Sequence, residues 1–108
     1  MISAEDVISI LKDVTDSDEF IDSNSSLIGA NSMVDSMAIV QMCVALEELS
    51  ESKGFSFDWT SEKAMSTMNS VFKSPQAVSD EFNRQLKLFT EQLNFDYWIY
   101  SSLHPIIL

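Results

Sequence analysis

The sequence has little of what several classes of protein require. Its 108 residues include only two glycines, two prolines, one cysteine and one histidine. So few turn-forming residues disfavour a β-sheet protein, which needs a turn after each short strand. A single cysteine, Cys43, excludes an internal disulfide bond. The one histidine forms none of the ligand spacings of a zinc site, so no metal site is expected.

Basic residues are also scarce. The chain has 6 Lys and Arg against 17 Asp and Glu, a formal net charge of −11. A surface this negative repels the phosphates of nucleic acids and of anionic lipids, so neither is expected as a partner. The 45% of apolar residues nevertheless suffices for a folded core. With no apolar run of about 18 residues and no secretory signal, we expect a cytoplasmic protein that meets proteins with basic patches.

Apolar spacing predicts helices. Apolar residues at positions i, i+3, i+4 and i+7 predict a first helix; they are Val7, Ile10, Leu11 and Val14. Ser3 is the expected cap of this helix. A second helix is predicted to begin at Ser36 and to stop at Gly54. A short helix is predicted over 61–66, and a long one from Pro75 to about Asn94.

The segment 16–35 has neither a helical nor a strand period and is rich in Ser, Asp and Asn. A loop of this length is unusual in so small a domain and suggests a functional role. The predicted fold is therefore all-α, a small four-helix bundle with a long first loop. Residues 1–88 would form the domain. The apolar extension 89–108 would pack on it, with docking or self-association of this extension as the alternative.

Catalytic motifs are absent from the sequence. It contains no glycine-rich phosphate loop and no G-x-S-x-G motif. The one cysteine–histidine pair that the chain can offer is Cys43 with His104, and a lone cysteine on a helix is typically a small core residue. We therefore predict that the protein is not an enzyme. A hydrolase that uses this pair stays an alternative.

Ser36 is the one residue whose setting suggests chemistry. It begins a predicted helix, follows the long loop and is preceded by Asp35, a good helix cap. A helix N-terminus offers free backbone N–H groups and a positive dipole end to an attached phosphate. Ser36 is therefore a suitable place for a phosphodiester. The plainer interpretation is an ordinary helix start.

The segment LIGANSMVDSMAIVQMCVALEEL resembles the acyl carrier protein family. The matching residues are Leu27, Gly29, Asp35-Ser36-Met37, Val40 and Leu46-Glu47-Glu48. The resemblance covers about residues 3–88. It implies a carrier whose Ser36 is esterified by 4′-phosphopantetheine from coenzyme A, and whose arm holds acyl groups as thioesters. The implied partners are a phosphopantetheinyl transferase and an acyl-activating ligase, acyltransferase or synthase with basic docking patches.

The resemblance also assigns surfaces to the second helix. The face that partner enzymes recognise would consist of Met37, Val40, Val44, Glu47 and Glu48. The core face towards the cargo would consist of Ile39, Met42, Cys43 and Leu46. The carrier is expected to be a monomer.

Two positions depart from the fatty-acid carriers. Those proteins carry acids two and five residues after the serine, where this chain has Ala38 and Gln41. With the phrase FDWTSEKAMS, this favours a specialised or polysaccharide-related pathway. The alternatives are an aminoacyl or peptidyl carrier, and a helical interaction module of the same fold that transfers nothing.

Overall fold

Helices make up the regular secondary structure of the residues that the structure describes. The computed structural model describes residues 1–15, 21–28 and 34–107, with side chains as far as Gln92. The helices in these ranges are α1 (Ala4–Thr15), α2 (Ser36–Ser52), α3 (Glu62–Ser66), α4 (Met68–Val71) and α5 (Pro75–Ile107). The all-α prediction is confirmed for this part of the chain. None of these helices is long and apolar enough to cross a bilayer.

The N-terminal end of the chain is fixed both to α1 and to α5. The Asp6 carboxylate accepts the Ser3 N–H at 2.8 Å, and the Ser3 hydroxyl accepts the Asp6 N–H at 3.3 Å. This reciprocal pair is a capping box, and it confirms the predicted cap. Ile2 donates its N–H to Asn83 Oδ1 at 2.9 Å, and the Asn83 amide donates to the Ile2 carbonyl at 2.7 Å.

One hydrophobic core lies where α1 packs against α2 and α5. Its fully buried members include Val7, Leu11, Leu27, Met42, Leu46, Phe57, Val78 and Phe82. Two other aromatic rings of the core pack against Phe82. The Phe82 ring lies edge-on to Phe55 at a centroid distance of 5.3 Å and beside Phe57 at 5.5 Å. Such aromatic pairs stabilise a core beyond the area they bury.

The described residues 21–28, between α1 and α2, form turns without a helix. The Asp22 carboxylate accepts the Asn24 N–H at 2.9 Å. Leu27 donates its N–H to the Lys73 carbonyl at 3.3 Å, and Gln76 donates its own to the Ser23 carbonyl at 3.1 Å. This segment is therefore held against the start of α5. Gly29 lies outside the described residues.

The segment after α2 is extended and crosses the core. Gly54, at φ +92°, stops the helix as predicted, in a conformation that glycine adopts without strain. Residues 56–59 pair with no described strand, as expected for a linker. The buried Phe57 donates its N–H to Ser50 Oγ at 2.8 Å, and that hydroxyl donates to the Glu47 carbonyl at 2.6 Å. Ser50 therefore ties the linker to α2.

A Ser50→Ala variant should lose about 1–3 kcal/mol of stability, because it leaves the buried Phe57 N–H without an acceptor. Ser52→Ala is the matched control: its hydroxyl makes the same kind of bond, to the Leu49 carbonyl at 2.6 Å, but on the exposed side of α2. Urea unfolding followed by circular dichroism measures both. Equal losses in the two variants would contradict this role for Ser50.

The start of α5 was predicted correctly and its end was not. The Ser74 hydroxyl accepts the Ala77 N–H at 3.2 Å, with Pro75 in the first helical position. The predicted end near Asn94 is wrong, because the helix continues to Ile107. Residues 95–104 contain no glycine or proline to stop it. A helix of 33 residues spans about 50 Å, and the molecule measures 60 × 25 × 20 Å.

The predicted packing of the 89–108 extension falls mostly on side chains outside the described residues, and it stays a prediction. The structure adds α4, which the sequence analysis missed. This helix has only four residues, and no side chain caps its N-terminus. It therefore has no local signal for pattern analysis to find.

Candidate functional site

Asp35 caps α2, as predicted, and Ser36 is the first residue of the helix. Asp35 Oδ1 accepts the Ala38 N–H at 2.8 Å, and the Asp35 carbonyl accepts the Ile39 N–H at 3.2 Å. Ser36 is exposed, and its hydroxyl bonds to no other described residue. The serine oxygen is therefore accessible to a reagent or to another protein.

An apolar cleft of about 330 Å³ adjoins Ser36. The residues of α2 that line it, Ser36, Ile39, Val40 and Cys43, follow one side of the helix at spacings of three and four. The preceding segment contributes Leu27, Ile28 and Val34, and the opposite wall consists of Trp59, Met68 and Phe72. The serine therefore stands at a space in which an apolar group can be held.

Of the four residues predicted to face the cargo, two line the cleft and two lie in the core. Ile39 and Cys43 line the cleft. Met42 and Leu46 are fully buried members of the core cluster and do not line it. The sequence analysis also missed the opposite wall. The alternation in FSFDW indicates an extended segment, but nothing local shows that Trp59 would reach α2.

The residues predicted to meet partners share the outer side of α2. Met37, Val40 and Val44 are 62%, 43% and 41% exposed, and their spacing places them along one face. Glu48 is exposed and Glu47 partly buried at the C-terminal end of this face. Exposed apolar side chains grouped beside acidic ones are typical of a protein-binding surface.

The Cys43 thiol is a poor nucleophile in this setting. Burial, with a smaller contribution from the nearby Glu47 carboxylate, raises the pKa of its thiol to about 12. The thiolate is the nucleophilic form, so it is scarce near neutral pH. The side chain of His104, its proposed partner, lies outside the described residues. The described residues also bring together no group of three His, Cys, Asp or Glu side chains that could hold a metal ion.

Alkylation of Cys43 at pH 8 should be far slower in the folded protein than in urea. A pKa raised from 9.0 to about 12 lowers the thiolate fraction roughly a thousandfold, tenfold for each unit. Mass spectrometry after timed exposure to iodoacetamide measures both rates. Similar rates in the folded and unfolded protein would show that the thiol is accessible and ionised.

Comparisons with protein-family models, curated proteins and solved structures found no match to this chain. No relative therefore supplies a ligand or a catalytic residue for this site. What the site does is inferred from the chain's own residues and their geometry.

Proposed function

We propose that this protein is an acyl carrier protein, in which Ser36 bears a 4′-phosphopantetheine arm. The arm's thiol holds an acyl group as a thioester and carries it between partner enzymes. The observation that supports this most is the position of Ser36. Its exposed hydroxyl lies at the capped N-terminus of α2 and beside an apolar cleft of about 330 Å³.

The residues around Ser36 fit a phosphodiester. The first turn of α2 contains no acidic residue, and the Asp35 carboxylate is engaged by the Ala38 N–H. The phosphodiester would lie at the positive end of the helix dipole, close to the free N–H groups of the first turn. This end of α2 therefore stabilises the charge that the modification introduces.

Ser36 would act as the nucleophile in the attachment step. Its Oγ attacks the phosphorus of coenzyme A that bears the pantetheine. The bond from that phosphorus to the bridging pyrophosphate oxygen breaks, and adenosine 3′,5′-bisphosphate leaves. The serine proton passes to a base of the transferase. The transferase also supplies the divalent cation that neutralises the pyrophosphate. To the bond-forming step itself, the carrier contributes an accessible hydroxyl at a helix end.

The fold that we propose is the four-helix bundle of this family. Helices α1, α2 and α5 would be its three long members, and α3 with α4 would occupy the place of the short one. Residues 16–35 would form the long first loop. The packing of α1 on α2 and α5, and of α4 on α5, supports this arrangement.

The cleft favours an acyl cargo over an aminoacyl cargo. Its walls are aliphatic, aromatic or sulfur-bearing side chains apart from Asp35 and Ser36, which come from the helix end. Beyond Asp35 at the helix end, an ammonium group that entered this space would lose its hydration without gaining a partner, because no other lining side chain is charged. An alkyl chain would instead gain roughly 0.8 kcal/mol for each buried methylene group.

The proposed partners follow from the outer face of α2. Met37, Val40 and Val44 offer an apolar patch, and Glu48 adds negative charge beside it. A transferase and an acyl-activating ligase, acyltransferase or synthase would dock here through apolar and basic residues. We propose a cytoplasmic monomer that serves a specialised or polysaccharide-related pathway.

Transfer from coenzyme A tests the proposal. The folded protein is incubated with coenzyme A, Mg²⁺ and a broad-specificity phosphopantetheinyl transferase, and its intact mass is measured. We expect a gain of one arm. A folded protein that takes no arm, beside a carrier that does, would favour the interaction module that transfers nothing.

The class of cargo needs a second assay. The arm-bearing protein is offered to acyl-activating ligases and to amino-acid-activating enzymes, each with its own acid. We expect loading by acyl-activating ligases. Loading by the amino-acid-activating enzymes alone would contradict the acyl assignment and leave the carrier role intact.

A further inference from the structure

Two aromatic side chains separate the cleft beside Ser36 from a small cavity, which in turn borders a second, larger space. A groove of about 720 Å³ lies between residues 55–58, the α3–α4 segment and α5. A cavity of only about 10 Å³ lies between this groove and the cleft. Trp59 and Phe72 line both the cleft and the small cavity, whereas Val71 and Glu81 line the small cavity and the groove. Trp59 and Phe72 therefore stand between the cleft and the small cavity, and the small cavity borders the groove through Val71 and Glu81.

We propose that Trp59 sets the length of the apolar chain that the cleft encloses. This inference rests on the proposed carrier function and adds a specificity-determining residue to it. The cargo that it implies is a medium-length alkyl chain. The arm on Ser36 would fold back over the cleft, and the chain would extend from its thioester along α2 and stop against the indole of Trp59.

The size of the cleft supports a medium-length chain. The α2 residues that line it run from Ser36 to Cys43, which is about 10 Å along a helix. At about 10–15 Å³ for each water-sized group, a cleft of about 330 Å³ has room for a chain of many methylene groups. The cavity behind the aromatic pair has room for at most about one water molecule. A longer chain would therefore meet a closed wall.

Trp59 is the member of the pair that can change without loss of the core. Phe72 is 3% exposed, belongs to the core cluster and ends α4. Trp59 is only partly buried and packs against that cluster from the extended linker. Its replacement by a small residue would join the cleft to the small cavity, on the side of the groove, and leave the core cluster in place.

The backbone that carries Trp59 is fixed on both sides. The Gln85 side chain accepts the Asp58 N–H at 2.7 Å and donates to the Asp58 carbonyl at 3.0 Å. The Asp58 carboxylate accepts the Ser61 hydroxyl at 2.6 Å and the Ser61 N–H at 3.1 Å. The residues before and after Trp59 are thus tied to α5 and to the start of α3. A wall held in this way can discriminate between chain lengths.

The test compares melting temperatures of the wild-type protein and the Trp59→Ala variant. The transferase loads each with butanoyl, octanoyl, dodecanoyl or hexadecanoyl arms from the corresponding acyl-coenzyme A. The wild-type melting temperature should rise with chain length up to dodecanoyl and then stop rising. In Trp59→Ala it should rise by a further 4 °C or more between dodecanoyl and hexadecanoyl, the shift expected when about one or two further methylene groups are buried in a domain of this size.

Leu88→Ala is the matched control. Leu88 is 52% exposed and lines the groove but neither the cleft nor the small cavity. This variant should keep the wild-type dependence on chain length. The same plateau in Trp59→Ala as in the wild type, or no dependence on chain length in the wild type, would overturn the inference. Failure of the wild type to accept any arm would instead overturn the proposed function.

A second measurement decides the case if Trp59→Ala does not fold. The chain has two tryptophans, so a Trp98→Phe variant leaves Trp59 as the single emitter. Its emission should move to shorter wavelengths as the attached chain lengthens to dodecanoyl, and no further with hexadecanoyl. Emission that is independent of the attached chain would show that the cargo does not reach Trp59 and would overturn the inference.

Discussion

A Ser36→Ala variant is expected to take no phosphopantetheine and to keep its fold. The serine oxygen is the atom that would join the arm, and no other group replaces it on the same helix turn. The helix keeps its cap, because the Ala38 N–H is accepted by Asp35 and not by Ser36. Since Ser36 is exposed and alanine is a good helix former, stability should change by at most about 0.5 kcal/mol.

Two measurements check this result. Intact mass after incubation with coenzyme A and the transferase reports the arm, and circular dichroism reports the helices. Ser52→Ala is the control, because it removes another exposed hydroxyl from α2 and should be modified like the wild type. If Ser36→Ala still gained an arm, the site would be elsewhere. If it lost its helical signal, Ser36 would be structural.

A Phe82→Ala variant should lose about 3–5 kcal/mol of stability, the range typical of a large aromatic side chain removed from a core. Phe82 is fully buried and packs against Phe55 and Phe57 at 5.3 and 5.5 Å between ring centroids. These two residues tie the linker to α5, so the loss affects several elements at once. Domains of this size have roughly 5–15 kcal/mol in total, so much of the protein's stability depends on this ring.

Urea unfolding measures this loss. Leu88→Ala is the control on the same helix, since Leu88 is half exposed and stands outside the core cluster. We expect a much lower unfolding midpoint for Phe82→Ala and a nearly unchanged one for Leu88→Ala. Similar midpoints for the two variants would contradict the central place of Phe82 in the core.

Sequence reasoning located helix starts well because helix starts are local. An Asp or Ser side chain that accepts an N–H three residues later needs no distant partner. The starts of α2 at Ser36 and of α5 at Pro75 were therefore predictable, with their caps at Asp35 and Ser74. The candidate modification site shares this property, since it is a serine at a helix start.

The division of α2 into faces was harder to predict. Ile39, Cys43, Met42 and Leu46 are all apolar and lie within eight residues of each other. Spacing alone cannot tell which of them meet α1 and which meet a cleft. Which of these residues faces the cleft depends on how residues 59–72 pack against α2. That packing depends on contacts between residues distant in sequence, such as the Asp58–Gln85 pair. The wall formed by Trp59 was unpredictable for the same reason.

The length of α5 was underestimated for a different reason. The apolar period that signals a helix weakens after Leu93, where aromatic residues follow one another. A helix nevertheless continues until something ends it, and the first proline after that point is Pro105. For the position of the C-terminal end of α5, the absence of a stop signal is therefore better evidence than the loss of the apolar period.

Peptide mass mapping of the protein after transfer from coenzyme A tests the carrier assignment most directly. The modified chain is digested, and the peptide that bears the arm is sequenced by fragmentation. We predict one arm per chain, on Ser36. An arm on any other residue, or a folded chain that stays unmodified while a control carrier is converted, would contradict the assignment.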